Sequence, residues 1–117
     1  MRFKEIEDGY LDTNNGIVWQ KEQCKDKFTF KEAIEYCESL RDGWRLPTTK
    51  ELISIIDYEK GNPATDLPGM RWSSYWSSTT YANNTDYAWQ VDFYNGYVDS
   101  LSKSGLYYVR AVKDYII

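Results

Sequence analysis

The stretch Trp44-Arg45-Leu46-Pro47-Thr48-Thr49-Lys50-Glu51-Leu52 limits the fold more than any other part of the chain. Thr48 and Glu51 have the spacing of a capping box, in which the hydroxyl accepts from one orphan amide at a helix start and the carboxylate from another. Pro47 fixes its own φ and drives Leu46 towards an extended backbone, so one helix must end before the next begins. Trp44 and Leu46 are too apolar for water, which puts this connector inside the core. A stiff, buried joint between two helices is the expected centre of the molecule.

The helix before the joint opens at Thr29, again with a glutamate, Glu32, three residues on. Phe30, Ala33, Ile34, Cys37 and Leu40 share one stripe at helical spacing, while Lys31, Glu32, Glu35 and Glu38 face outward as a solvated side. Asp42-Gly43 ends it, with glycine suited to the left-handed conformation. The second helix is expected from about Thr49 to Asp57, burying Leu52, Ile55 and Ile56. Residues 58–73 then carry the breakers Asn62-Pro63, Leu67-Pro68 and Gly69. A long segment without periodicity is often a binding loop in a small domain, and this one ends in a half-exposed Met70-Arg71-Trp72 cluster.

Both ends of the chain read as strands. Phe3, Ile6 and Tyr10 lead through Asp12-Thr13-Asn14-Asn15-Gly16 to Ile17-Val18-Trp19, two extended segments around a tight turn. The acidic, amide-rich run does not fit a calcium loop, which needs glycine at its sixth position and a distal glutamate. Tyr75–Thr79 is a short strand, and residues 81–86 are a polar turn. Tyr87, Trp89, Val91 and Phe93 alternate with Ala88, Gln90, Asp92 and Tyr94, predicting a half-buried strand with its large apolar side inward. Asn95-Gly96 is a preferred two-residue hairpin turn. Tyr97–Leu101 returns, and Leu106–Lys113 is a last strand.

One domain spanning residues 1–117 is all that this length accommodates. Eleven Tyr and five Trp raise the aromatic fraction to 17%, more than a core of this size holds, so some rings must reach the surface where recognition uses them. Fourteen basic against eighteen acidic residues give a net charge of −4. That balance disfavours nucleic acid, polyanions or anionic membrane as main partner, while leaving room for a local basic patch. No apolar run approaches the ~20 residues of a span and no basic-then-apolar leader follows Met1, so no membrane insertion is expected. Cys24 and Cys37 are the only cysteines. They either bridge, closing a loop worth about 3 kcal/mol in the chain-entropy view, or Cys37 is a buried free thiol on its helical stripe.

Chemistry is sparsely provided. The chain has no histidine, hence not the commonest general base, and no Cys/His metal set. Nucleotide and phosphate fingerprints are absent, so neither cofactor nor metal is expected. Acid–base work would fall to carboxylates such as Asp57, Glu59 or Asp66, which read more simply as parts of a solvated loop.

Six blocks occur in order: Asp12-x-x-x-Gly16-Ile17-Val18-Trp19-Gln20, Ala33-Ile34-x-Tyr36-Cys37, the Trp44–Leu52 joint, Tyr75-Trp76-Ser77-Ser78-Thr79, Ala88-Trp89-x-Val91-x-Phe93-x-x-Gly96 and Tyr108-Val109-Arg110-x-Val112. Together they resemble the bacterial Lcl C-terminal-like domain family, long catalogued as a domain of unknown function. The resemblance implies an α+β, C-type-lectin-like fold, with two helices packed on a small twisted antiparallel sheet and the N- and C-terminal strands paired. It also implies a surface-exposed or secreted binding module similar to adhesin tips, with carbohydrate or protein ligands. Two departures stand out. A family cysteine that bridges to the position of Cys37 is replaced by Ala111, and the Glu-Pro-Asn or Gln-Pro-Asp and Trp-Asn-Asp motifs of calcium-dependent lectins are missing. A distant similarity to the formylglycine-generating oxidase carries no activity here, because Cys37 on a core stripe does not make that enzyme's cysteine pair.

The expectation is thus a non-catalytic module binding a glycan or protein, with Trp44 and Trp76 serving the core. Its contact residues are expected on the long loop (Arg71 and Trp72), the polar turn (Tyr81, Asn83, Asn84 and Asp86) and the hairpin (Gln90, Asp92, Tyr94, Asn95 and Tyr97). Rings beside amides and carboxylates suit sugar stacking as well as protein interfaces. The competing expectation is an assembly domain of a cell-surface or phage fibre, in which the same aromatics join subunits into an oligomer.

Overall fold

The computed structural model describes residues 2–116. Both capping boxes form. Thr29 Oγ1 accepts from the Glu32 amide at 3.2 Å and Glu32 Oε1 from the Thr29 amide at 3.0 Å, opening α1 (Phe30–Ser39). Thr48 Oγ1 accepts from the Glu51 amide at 3.1 Å and Glu51 Oε1 from the Thr48 amide at 2.8 Å, opening α2 (Thr49–Ser54). Each helix ends earlier than its apolar spacing predicts. After α1, Arg41, Asp42 and Gly43 all take positive φ, so the chain turns before glycine is reached. After α2, the amides of Ile55 and Ile56 donate to carbonyls only three residues back, a tightening that stops the α-helix.

The strands are β1 (Phe3–Ile6), β2 (Gly9–Asp12), β3 (Ile17–Gln20), β4 (Ser74–Thr80), β5 (Tyr87–Asp92), β6 (Tyr97–Ser102) and β7 (Val112–Asp114). Among the described residues they make two antiparallel sheets, β1-β2-β3-β7 and β4-β5-β6, where one sheet was expected. The terminal strands share a sheet but are not partners: β7 pairs with β3. The reason is topological. β1, β2 and β3 form a meander, leaving β1 and β3 as its two edges, and the returning chain takes the β3 edge.

The last strand is also shorter than Leu106–Lys113. Residues 107–111 instead carry isolated bridges, Phe28 with Tyr107 and Tyr75 with Tyr108, the second of which ties this segment to β4. Val109, Arg110 and Ala111 are fully buried there. The hairpin turn is likewise longer than two residues, running from Phe93 to Gly96. Phe93 is drawn into the core, its amide donating to Ser73 O and its carbonyl accepting from Ala64 N.

Two apolar clusters divide the interior. Trp19, Leu52, Leu67, Met70, Tyr75, Val91 and Phe93 belong to one; Ala33, Cys37, Leu46, Trp76, Ala88 and Val109 belong to the other. Tyr75 and Trp76 of β4, like Val91 and Ala88 of β5, feed opposite clusters, so both faces of the three-stranded sheet carry part of the core. This corrects the half-buried strand: Gln90, expected outward, is only 2% exposed. Met70, expected at the surface, is in the core.

The joint meets expectation at Leu46 and only in part at Trp44, which was expected in the core. Leu46 and Trp76 are buried, and the Trp76 indole donates to Phe28 O at 2.7 Å. Trp44 is half-buried, with the Lys113 ammonium 4.9 Å from its ring centre. The acidic turn is structural: the buried Asp12 carboxylate accepts from Arg2, Asn15 and the Trp19 indole. Cys24 and Cys37 are free thiols.

Candidate functional site

Two concave surfaces flank the hairpin. The larger, about 460 Å³, is a cleft between residues 21–25 and 69–72. Buried Tyr75 links its two walls: its hydroxyl accepts from the Arg71 amide at 2.8 Å and donates to Gln23 Oε1. Burial raises the Tyr75 phenol above its ordinary pKa, which keeps the ring neutral and the donor in place. The Gln23 amide is thereby fixed with its Nε2 buried and without a partner among the described residues.

The cleft is cationic within an acidic protein. Among the described residues Lys21, Lys25, Arg71 and Glu22 line it, and Lys21 pairs with Glu5 at 3.3 Å. Arg71 and Lys27 sit 5.4 and 5.3 Å from the Tyr108 ring. Behind Gly69 lies the fully buried Arg110 guanidinium. Its Nε donates to Gln20 O at 2.7 Å and Nη2 to Lys21 O at 3.2 Å, pinning the near wall, while Nη1 has no partner among the described residues. Burial without a carboxylate partner lowers its pKa to about 10.

Trp72 joins this cleft to the hairpin. It lines the cleft, is 59% exposed, and stacks on the 50% exposed Tyr94 with ring centres 6.1 Å apart. Arg71, Trp72 and Tyr94 therefore come together at one rim.

The smaller hollow, about 130 Å³, lies on the three-stranded sheet and gathers Gln90, Asp92 and Tyr97 with Ser74, Asp99 and Leu101. Asp92 Oδ1 accepts from the Tyr94 amide and Asp99 Oδ1 from the Ser100 amide, both at 2.8 Å, which orients the two carboxylates. Asn95 caps the loop by accepting from the Tyr97 amide. Ser74 and Asp99 were missed in the sequence; their signal was register, since they lie opposite Asp92 and Gln90 across the strands.

The polar turn does not join either surface. Tyr81 packs edge-on against Trp89, with its hydroxyl accepting from Asn83, and Asn84 accepts from the Asp86 amide. These residues precede β5 and so lie at the opposite end of that strand from Asp92 and the turn. Of the carboxylates considered for hydrolysis, Asp57 accepts from the Glu59 amide and Asp66 pairs with Lys60. No group of three or more metal-ligating side chains occurs among the described residues, and no described helix is long and apolar enough to cross a membrane.

No curated protein matches the chain. Residues 9–113 match the Lcl C-terminal domain, a span that holds the joint, the cleft, the hairpin, β2 to β6 and all of β7 but Asp114, and the chain belongs to that family.

Proposed function

We propose that the domain is a non-catalytic binding module of C-type-lectin-like fold that recognises a glycan or a protein at a bacterial cell surface. The observation that carries this reading is the exposed Trp72–Tyr94 stack at the rim of the cleft. Large rings in water cost free energy unless a partner covers them, and rings beside fixed polar groups are the usual anchors of recognition. The cleft provides such groups in Gln23 and Arg71, and the sheet hollow in Gln90, Asp92 and Asp99. Recognition here works without the lectin calcium motifs, through direct stacking and hydrogen bonding.

The test is a glycan and protein array probed with the folded domain, alongside a Trp72→Ala variant. Binding that Trp72→Ala abolishes supports the reading; a folded domain with no binder above background overturns it. The assembly reading rests on the same rim, extended by Tyr58 and Tyr97, which are 73% and 71% exposed. Light scattering separates the two, because a monomer at all concentrations rules out self-association through these rings.

A further inference from the structure

Gln90 is out of place chemically. It sits mid-strand on β5, opposite Trp76 on one side and Asp99 on the other, and is 2% exposed. Both its Oε1 and its Nε2 are buried, and neither has a hydrogen-bond partner among the described residues. A buried amide left unpaired at both ends is costly, and an apolar residue of similar size would satisfy this position better. The side chain borders the hollow on the sheet face, so a ligand seated in the hollow lies beside this unpaired amide.

The surroundings fix what that partner is. Ser74, Asp92 and Tyr97 form one cross-strand rung and Trp76, Gln90 and Asp99 the next, so all six side chains share one face, where the core residue Trp76 flanks Gln90 on the β4 side. Among the described residues, the Oδ2 atoms of Asp92 and Asp99 accept nothing, while each Oδ1 is held by a backbone amide. The hollow thus offers two carboxylate acceptors, one amide that needs both a donor and an acceptor, and an exposed tyrosine ring at its edge. Anions are repelled by the two carboxylates. Neighbouring hydroxyls of a sugar donate and accept side by side, and the C–H face of the ring stacks on an aromatic. About 130 Å³ is room for one such ring edge or for about four waters at ~30 Å³ each.

We infer that this hollow is a subsite for a neutral pyranose, with Gln90 bonding one hydroxyl pair, Asp92 and Asp99 accepting from others, and Tyr97 stacking on the ring. The inference rests on the binding-module reading and narrows it to a sugar class and a place. It assigns Gln90 a ligand-binding role at the expense of stability.

The test is an NMR titration of the isotopically labelled domain in EDTA with the methyl glycosides of glucose, galactose and mannose and with N-acetylglucosamine. N-acetylneuraminic acid and calcium are separate arms. The expected result is a saturable shift of the Gln90 side-chain amide and of the Asp92 and Asp99 backbone signals with at least one neutral sugar. Gln90→Leu should abolish it while raising the melting midpoint by a few degrees, and Asp99→Asn should weaken it about tenfold. The inference is overturned if no neutral sugar moves these signals, if shifts survive Gln90→Leu, or if binding requires calcium or the acidic sugar. Array binding retained by Gln90→Leu alongside a silent titration overturns this subsite and leaves the broader reading standing; a blank array overturns the broader reading.

Discussion

The Arg45 guanidinium grips both oxygens of Glu51, Nη1 to Oε1 at 2.8 Å and Nη2 to Oε2 at 2.9 Å. Glu51 is also the returning half of the α2 capping box, and Arg45 extends a third bond to Asp114 on β7 at 3.0 Å. One carboxylate thereby joins the interhelical joint, the helix start and the C-terminal strand. Its hydrogen bonds, with its charge adding to them, hold the arginine above its ordinary pKa against the opposing effect of burial. Glu51→Ala removes a cap and a two-pronged ion pair together, and should cost about 2 kcal/mol in urea unfolding. Glu51→Gln keeps the cap acceptor and should cost less. Equal losses would mean that the arginine, not the cap, is what matters.

Acid should unfold the domain through two identified carboxylates. Burial pushes Asp12 upward, but the bonds from Arg2, Trp19 and Asn15 outweigh it and hold the group below its usual range. Glu51 is lowered in the same manner, burial being overcome by Arg45 and the Thr48 amide. A carboxyl with a depressed folded pKa adds stability above its unfolded pKa and loses it as pH falls through the folded value. Melting temperature should therefore hold near neutrality and fall below about pH 4.5. Asp12→Asn should flatten that fall; an unchanged slope would assign acid sensitivity to other groups.

The two cysteines should report separately on the native state. Burial, with the charge of Glu38 adding to it, pushes the Cys37 thiol up to about 12, so almost no thiolate exists there at neutral pH. Cys24 lies half-buried in a loop. A disulfide reagent should modify one thiol in the folded domain and two in denaturant, with mass mapping to Cys24 first. Rapid reaction of both would show that α1 opens readily.

What was legible in the sequence was whatever a few neighbours decide. Thr29 with Glu32 and Thr48 with Glu51 mark both helix starts because capping is local chemistry, and the apolar stripe placed Cys37 and Ala33 in the core. What was not legible depended on distant strands. Period-two alternation put Gln90 in water on the assumption of one wet face. The segment Tyr107–Ala111 and the cluster around Trp76 close that face from elsewhere in the chain. The cationic cleft was equally hidden, since Lys21 and Lys25 meet Arg71 there from a segment far away in the chain. Trp72 and Tyr94 stand out by residue type alone, yet only the fold makes them a pair.

That pair gives the sharpest separation of stability from binding. Trp72 is 59% and Tyr94 50% exposed, so truncating either ring empties little of the core, and each change to alanine should shift unfolding by no more than about 1 kcal/mol. Their stacking should show in a double-mutant cycle as a coupling of about 0.5 kcal/mol, the low end for aromatic pairs because water reaches both faces. Binding should respond far more. An anchor worth about 2 kcal/mol corresponds to a roughly thirtyfold loss of affinity when Trp72 is removed. Trp72→Phe should recover part of it, since a smaller ring still stacks on Tyr94. If Trp72→Ala leaves affinity intact for a ligand found on the array, recognition occurs away from the cleft rim. The sheet hollow or the Tyr81–Asp86 turn then becomes the surface to map.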